Sequence, residues 1–120
     1  MRILIVDDST TARRFLKKAL PPQLLTDVVE ADGARRGLEI CGEGGIDLMF
    51  LDLTMPEMDG YEVLAALGGV RLATLPVIVV SGDVQTQAPD KAKALGARAF
   101  IKKPASKEQV EVVLREIGVL

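Results

Sequence analysis

Histidine is absent from this 120-residue chain and cysteine occurs once, at Cys41. A structural zinc site, a Ser-His or Cys-His catalytic pair, an internal disulfide and a phosphohistidine relay within the chain are therefore all excluded. Any metal bound here must be held by oxygen. No apolar stretch approaches the roughly 18 residues that span a bilayer. The opening Met1-Arg2-Ile3-Leu4-Ile5-Val6 has too short an apolar part for a signal peptide and is followed at once by two aspartates. The formal net charge is −2, with both signs interleaved along the chain. No basic stripe argues for a nucleic-acid partner. These absences point to a cytoplasmic protein with no membrane or nucleic-acid partner. What is present is a hydrophobic fraction of 48%, enough for one domain that buries a core without staples.

The most informative stretch runs from Ile46 to Gly60. The run Leu48-Met49-Phe50-Leu51 ends abruptly at Asp52 and gives way to Leu53-Thr54-Met55-Pro56-Glu57-Met58-Asp59-Gly60. Four consecutive apolar residues suit a strand covered on both faces, as in a parallel sheet, and Pro56 and Gly60 mark the turn that follows. Ile3-Leu4-Ile5-Val6 is a similar run ending in Asp7-Asp8-Ser9, and Val77-Ile78-Val79-Val80 is a third, ending in Ser81-Gly82-Asp83. Asp27 to Ala31 is shorter and less apolar, as an edge strand would be, and Ala97 to Ile101 is a fifth strand ending in Lys102-Lys103-Pro104.

Helices are expected between these strands. Ser9 caps a helix in which Ala12, Phe15, Leu16, Ala19 and Leu20 recur at helical spacing, and Pro21-Pro22 stop it. Asp32 caps a weaker helix over about residues 34–43, interrupted by Gly37. The third helix follows Gly60, turns Val63, Leu64 and Leu67 inward and stops at Gly68-Gly69. Pro89 fits only the first turn of a helix, so the fourth is short and runs to about Leu95. Ser106 and Gln109 form a capping box for the last, which places Val110, Val113, Leu114 and Ile117 on one face. Five strands alternating with five helices predict an α/β fold: one five-stranded parallel sheet, order 2-1-3-4-5, with helices on both faces. The switch point of that order lies between strands one and three, which Asp7, Asp8 and Asp52 terminate.

Three carboxylates at one end of a sheet repel one another and call for a cation. Mg²⁺ suits them, since it takes hard oxygen ligands and keeps positions open for phosphate oxygens; Mn²⁺ can substitute. The same rim carries a hydroxyl at Ser81 and an ammonium at Lys103. An aspartate there can attack phosphorus while metal and lysine neutralise charge and the hydroxyl donates a hydrogen bond. Taken singly, each residue has a plainer use: Asp7-Asp8 as helix caps, Ser81 as a turn former, Lys103 as a solvated charge, Phe100 as a core aromatic. Their joint placement at the carboxyl ends of successive strands carries the functional reading.

With Asp7-Asp8, Asp52, Met55-Pro56, Asp59-Gly60, Ser81-Gly82, Phe100 and Lys103-Pro104 in place, the chain resembles a two-component response-regulator receiver domain, specifically a stand-alone CheY-like one with a flavodoxin-like fold. The resemblance covers essentially the whole chain and implies a single receiver domain over 1–120 with no output domain. It implies a phosphoacceptor protein of a phosphorelay rather than an enzyme. Asp52 would take a phosphoryl group from a histidine kinase or phosphotransfer protein, and the chain would assist only its own phosphotransfer and autodephosphorylation. Asp8, Asp52 and the backbone carbonyl of Thr54 would bind Mg²⁺, with Asp7 acting through water. Lys103 would contact the phosphoryl group, Ser81 and Phe100 would be the switch pair, and the Lys103-Pro104 bond would be cis, against a base rate of about 5–6%. Phe100 stands where many chemotaxis members have tyrosine, so only ring packing can change there. Thr54 and Asp83 occupy positions that, in the family, help set phosphoryl lifetime. The output surface would be the face of helix four, strand five and helix five, switched by ordering of residues 82–89. A downstream target or phosphatase would bind it, chemotaxis-like signalling being one such use, to a monomer able to dimerise weakly on phosphorylation. Three competing readings are a haloacid-dehalogenase-type phosphatase, whose second aspartate is here Thr54; a degenerate receiver; and a DNA-binding regulator cut short.

Overall fold

The computed structural model describes residues 1–82 and 85–120. Along the chain come β1 (Ile3–Val6), α1 (Thr10–Ala19), a 3-10 turn (Pro22–Leu24), β2 (Val28–Ala31), α2 (Ala34–Glu43) and β3 (Leu48–Leu51). α3 (Gly60–Thr74), β4 (Val77–Ser81), α4 (Ala88–Ala94), β5 (Ala99–Lys102) and α5 (Lys107–Glu116) follow. The strands form one parallel sheet in the order β2-β1-β3-β4-β5. The apolar runs of β1, β3 and β4 occupy its centre because helices cover both of their faces; every residue of these strands is buried. No helix among the described residues is long and apolar enough to cross a membrane.

Alternation along the strands divides the core in two. Leu4, Val6, Met49, Leu51, Val77 and Val79 belong to the layer that holds the buried residues of α2, α3 and α4. Ile3, Ile5, Leu48, Phe50, Ile78 and Val80 face the other way, with Leu16 of α1 and Val110 and Leu114 of α5. Register then sets the rim. Val6 pairs with Leu51 and Ala31, so the chain leaves β1 and β3 at the same height and Asp7 and Asp52 emerge side by side.

Local signals hold where they are strongest. Ser9 accepts a hydrogen bond from the Ala12 amide at 3.1 Å, and the capping boxes Ser106/Gln109 and Asp59/Glu62 are both closed. Pro89 lies in the first turn of α4. Elsewhere the structure departs from the sequence reading. Gly33, not Asp32, is the N-cap of α2, and that helix passes through Gly37 unbroken; the glycine serves close packing, since a Cβ there would come within 2.8 Å of the Val6 side chain in β1. α3 breaks at Gly68, where the glycine pair is expected to stop it, but does not end there. Gly68 adopts φ 74°, ψ 166°, the helix resumes, and the second segment buries Leu72 before ending at Thr74. β2 and β5 begin at Val28 and Ala99, one and two residues later than their composition suggests. Phe15, expected in the α1 stripe, is 51% exposed: α1 seats on Leu16, Ala19 and Leu20, leaving the ring at the edge of that contact.

Candidate functional site

The rim above β1 and β3 gathers the predicted acidic residues. Asp7, Asp8 and Asp52 each offer a carboxylate oxygen within 4.8 Å of the others. Asp7 and Asp52 are buried, at 6% and 5% exposure, whereas Asp8 is open to solvent. With Ser9, Thr54, Gly82 and Lys103 they line an open depression of about 610 Å³.

Asp7 is held on every polar atom. Its amide donates to the Ala31 carbonyl at 3.1 Å. One carboxylate oxygen accepts from the Ser9 amide at 2.9 Å and the other from the Lys103 ammonium at 2.8 Å. Its own carbonyl accepts from the Arg13 guanidinium. Asp52 follows β3 directly; its amide donates to Val6 at 3.0 Å, which ties the two strand ends together. Behind it the chain must pass close: Gly60 opens α3 where a Cβ would collide with the Asp52 carbonyl oxygen and lie 2.8 Å from Leu53 Cα. Only glycine fits there.

Lys103 reaches between the two buried carboxylates, 2.8 Å from Asp7 and 3.5 Å from Asp52. The adjoining Lys103–Pro104 peptide bond is cis, as the resemblance implies. Three carboxylates and one ammonium leave −3 + 1 = −2 at the rim when all are ionised. That balance and the all-oxygen donor set fit a divalent hard cation, and the buried members are those least able to use water as a counter-charge.

The electrostatics agree. Burial raises the Asp52 carboxyl above the ordinary aspartate range, the charge of Asp7 adds to this, and Lys103 and the Thr54 amide only partly offset it. Burial pulls the other way on Lys103, but its hydrogen bond to Asp7 and the charges of Asp52 and Asp7 win, so its ammonium is held more firmly than usual.

Not every predicted residue opens into the depression. Ser81 is the last residue of β4 and fully buried, and at that strand Gly82 forms the wall. Ser81 continues the Val77–Val79 face, and Phe100, which pairs with Val79, packs against the same layer. Phe100 also borders a shallow hollow of about 290 Å³ against α5, beside Val112 and Glu108. Asp52 alternates instead with Phe50 of the opposite layer. Asp7 and Asp52, the buried members of the acidic cluster, and the Ser81/Phe100 pair thus continue different faces of one sheet. Thr54 lies on the rim, exposed. Asp83, and Val84 in the expected switch segment, lie outside the described residues. Arg13 and Glu30, which sequence reading passes over, are joined behind the Asp7 turn; the only hint was a glutamate in an otherwise apolar edge strand.

Comparisons with known proteins point to one family. A family model described as the response regulator receiver domain matches residues 3–115. The chain is 32% identical over 123 residues to the chemotaxis protein CheY of Pseudomonas aeruginosa, covering 98% of this chain and 99% of that one. It is 34% identical over 120 residues to the two-component response regulator ORR1 of Oryza sativa subsp. japonica, covering 92% of this chain and 52% of that longer one. Among solved structures, a CheY-like response regulator receiver domain protein from Methanospirillum hungatei JF-1 superposes with a TM-score of 0.83 at 28% identity, over 97% of this chain and 91% of that one.

Proposed function

This chain belongs to the response regulator receiver domain family of two-component signalling, and from that premise we propose that Asp52 accepts a phosphoryl group from the phosphohistidine of a histidine kinase or phosphotransfer protein. The observation that carries the proposal is the setting of Asp52: buried at the end of β3, 3.5 Å from Lys103 and within 4.8 Å of the acidic pair. Receiver domains are phosphoryl-accepting regulators that bind Mg²⁺ in an acidic pocket. Here Asp8, Asp52 and the Thr54 carbonyl would hold the ion, with Asp7 acting through water. Bound there, Mg²⁺ supplies the positive charge that lets a carboxylate approach a phosphoryl group.

The chain's own residues do the rest. A carboxylate oxygen of Asp52 forms the new bond to phosphorus as the phosphorus–nitrogen bond to the donor imidazole breaks, and the donor nitrogen leaves with the electron pair. Lys103, already anchored by Asp7, lies where it can meet a phosphoryl oxygen without a large movement. Ser81 is buried on the neighbouring strand, and its hydroxyl reaches a phosphoryl oxygen only if the backbone after β4 moves inward. That movement vacates space beside Phe100, whose ring then turns in. The face formed by α4, β5 and α5 is thereby altered for a target or a phosphatase. In this reading residues 1–120 act as one receiver unit whose only chemistry is its own phosphorylation and its reversal. Acetyl phosphate with Mg²⁺ tests the assignment: the wild type should gain one phosphoryl group by intact mass, and Asp52→Asn should gain none. Labelling of Asp52→Asn at the wild-type rate would refute it.

A further inference from the structure

Arg13 is placed unlike any other cation of α1. Its side chain is only 12% exposed, and its planar guanidinium is used on three sides. Nε donates to Glu30 Oε1 at 3.0 Å, Nη2 to the Thr10 hydroxyl at 3.2 Å, and Nη1 to the backbone carbonyl of Asp7. Glu30 is also gripped by Lys17 at 3.0 Å. The Lys17 hydrogen bond, aided by Arg13 and opposed by partial burial, holds the Glu30 carboxyl below its ordinary range, so it stays an anion down to acidic pH. Glu30 in turn is fixed in β2, opposite Ile5 of β1.

The carbonyl of Asp7 belongs to the peptide unit that joins Asp7 to Asp8. That unit is planar, so fixing its oxygen fixes the plane from which the Asp8 backbone departs. The Asp7 amide is bound to Ala31 of the same edge strand. Both sides of Asp7 are thus tied to β2, directly through its N–H and through Arg13 and Glu30 at its C=O. Asp8 is the exposed member of the cluster, where burial supplies no restraint.

We propose that Arg13, anchored by Glu30, is a positioning residue for the divalent-cation site, setting the Asp7–Asp8 peptide so that the Asp8 carboxylate points at the metal. This rests on the proposed function, in which that cluster binds Mg²⁺. Arg13 touches neither metal nor phosphoryl group. Its effect also opposes its charge: a cation near an acidic site weakens binding of a second cation, so by electrostatics alone its loss would tighten the metal. A positioning role requires the reverse. Residues that orient metal ligands typically change affinity by about 10–100-fold when replaced, and a restraint acting through one peptide belongs at the lower end. Lysine keeps the charge but cannot span three partners in a plane.

The test is the dissociation constant for Mn²⁺, read from the electron paramagnetic resonance signal of the free ion, on the 120-residue wild type, Arg13→Gln, Arg13→Lys and Glu30→Gln. Folding of each is checked by circular dichroism without metal. Arg13→Gln and Arg13→Lys should each bind about tenfold more weakly than wild type, and Glu30→Gln more weakly by a smaller factor. If Arg13→Gln does not fold, Arg13→Lys decides. Binding by Arg13→Gln equal to or tighter than wild type, or by Arg13→Lys equal to wild type, would overturn the inference and leave the proposed function standing. A wild type that binds no Mn²⁺ would remove the metal from the proposed function, and this inference with it.

Discussion

Asp52 is a buried anion beside a second one, and its stability signature follows from that. Its carboxyl in the fold lies above the ordinary aspartate value of 3.8. Between the two values the native state binds more protons than the unfolded state, so stability falls as pH rises through that window. Glu30 acts oppositely. Its lowered carboxyl contributes stability that is fully present above its ordinary value of 4.5 and is lost as pH falls through its folded value. Asp52→Asn removes the first effect while Lys103 keeps Asp7 as a partner at 2.8 Å. The metal-free variant should therefore melt a few degrees higher than wild type at neutral pH. The difference should shrink as pH approaches 4. Thermal melts by circular dichroism in chelator check this, and a lower melting temperature for Asp52→Asn at pH 7 would mean that the carboxylate is not strained by its neighbours.

At the scale of elements, two changes should separate a crowded position from a capped one. Gly60→Ala forces a Cβ against the backbone of Asp52 and Leu53, which cannot yield as a side chain would. It should destabilise by about 1–3 kcal/mol in urea unfolding. Ser106→Ala opens the α5 capping box and should lower stability by about 1 kcal/mol without altering metal binding. Near-equality of Gly60→Ala with wild type would show that the β3–α3 turn relaxes more freely than its packing implies. These elements also show what could be read in the chain. Caps such as Ser9 and Ser106 are local, three residues from their partners, and sequence suffices for them. The resumption of α3 beyond Gly68 is a tertiary effect: Leu72 is needed in the core, and a Cβ on Gly96 would lie 2.6 Å from it. Phe15 fits the helical period, yet its exposure depends on how α1 seats against α5. Arg13 meets Glu30 across 17 positions of sequence, a pairing no period announces. The acidic cluster was legible because each member ends a strand, and strand order alone brings strand ends together.

Over the whole molecule, a site that repels itself when empty should couple metal to folding. Mg²⁺ binding only the native state should stabilise it by about 2.7 kcal/mol at a hundredfold excess over the dissociation constant. Asp8→Ala should abolish the response, and a wild-type melting temperature indifferent to millimolar Mg²⁺ would count against the site. The larger consequence comes from the two faces. Asp52 continues the α1–α5 layer, whereas Ser81 and Phe100 continue the α2–α3–α4 layer. Under the proposed function, a phosphoryl group on Asp52 would be read across the sheet rim, and by reciprocity a partner that prefers the switched face of α4, β5 and α5 would in turn favour phosphorylation.

Amide hydrogen exchange with and without beryllofluoride, a phosphoryl mimic, in the presence of Mg²⁺ tests that central claim most directly. Residues 85–89 and 97–101 should gain protection, α2 should not, and Asp52→Asn should show no change anywhere. A uniform gain across the domain, or the same local gain in Asp52→Asn, would contradict a switch driven from Asp52.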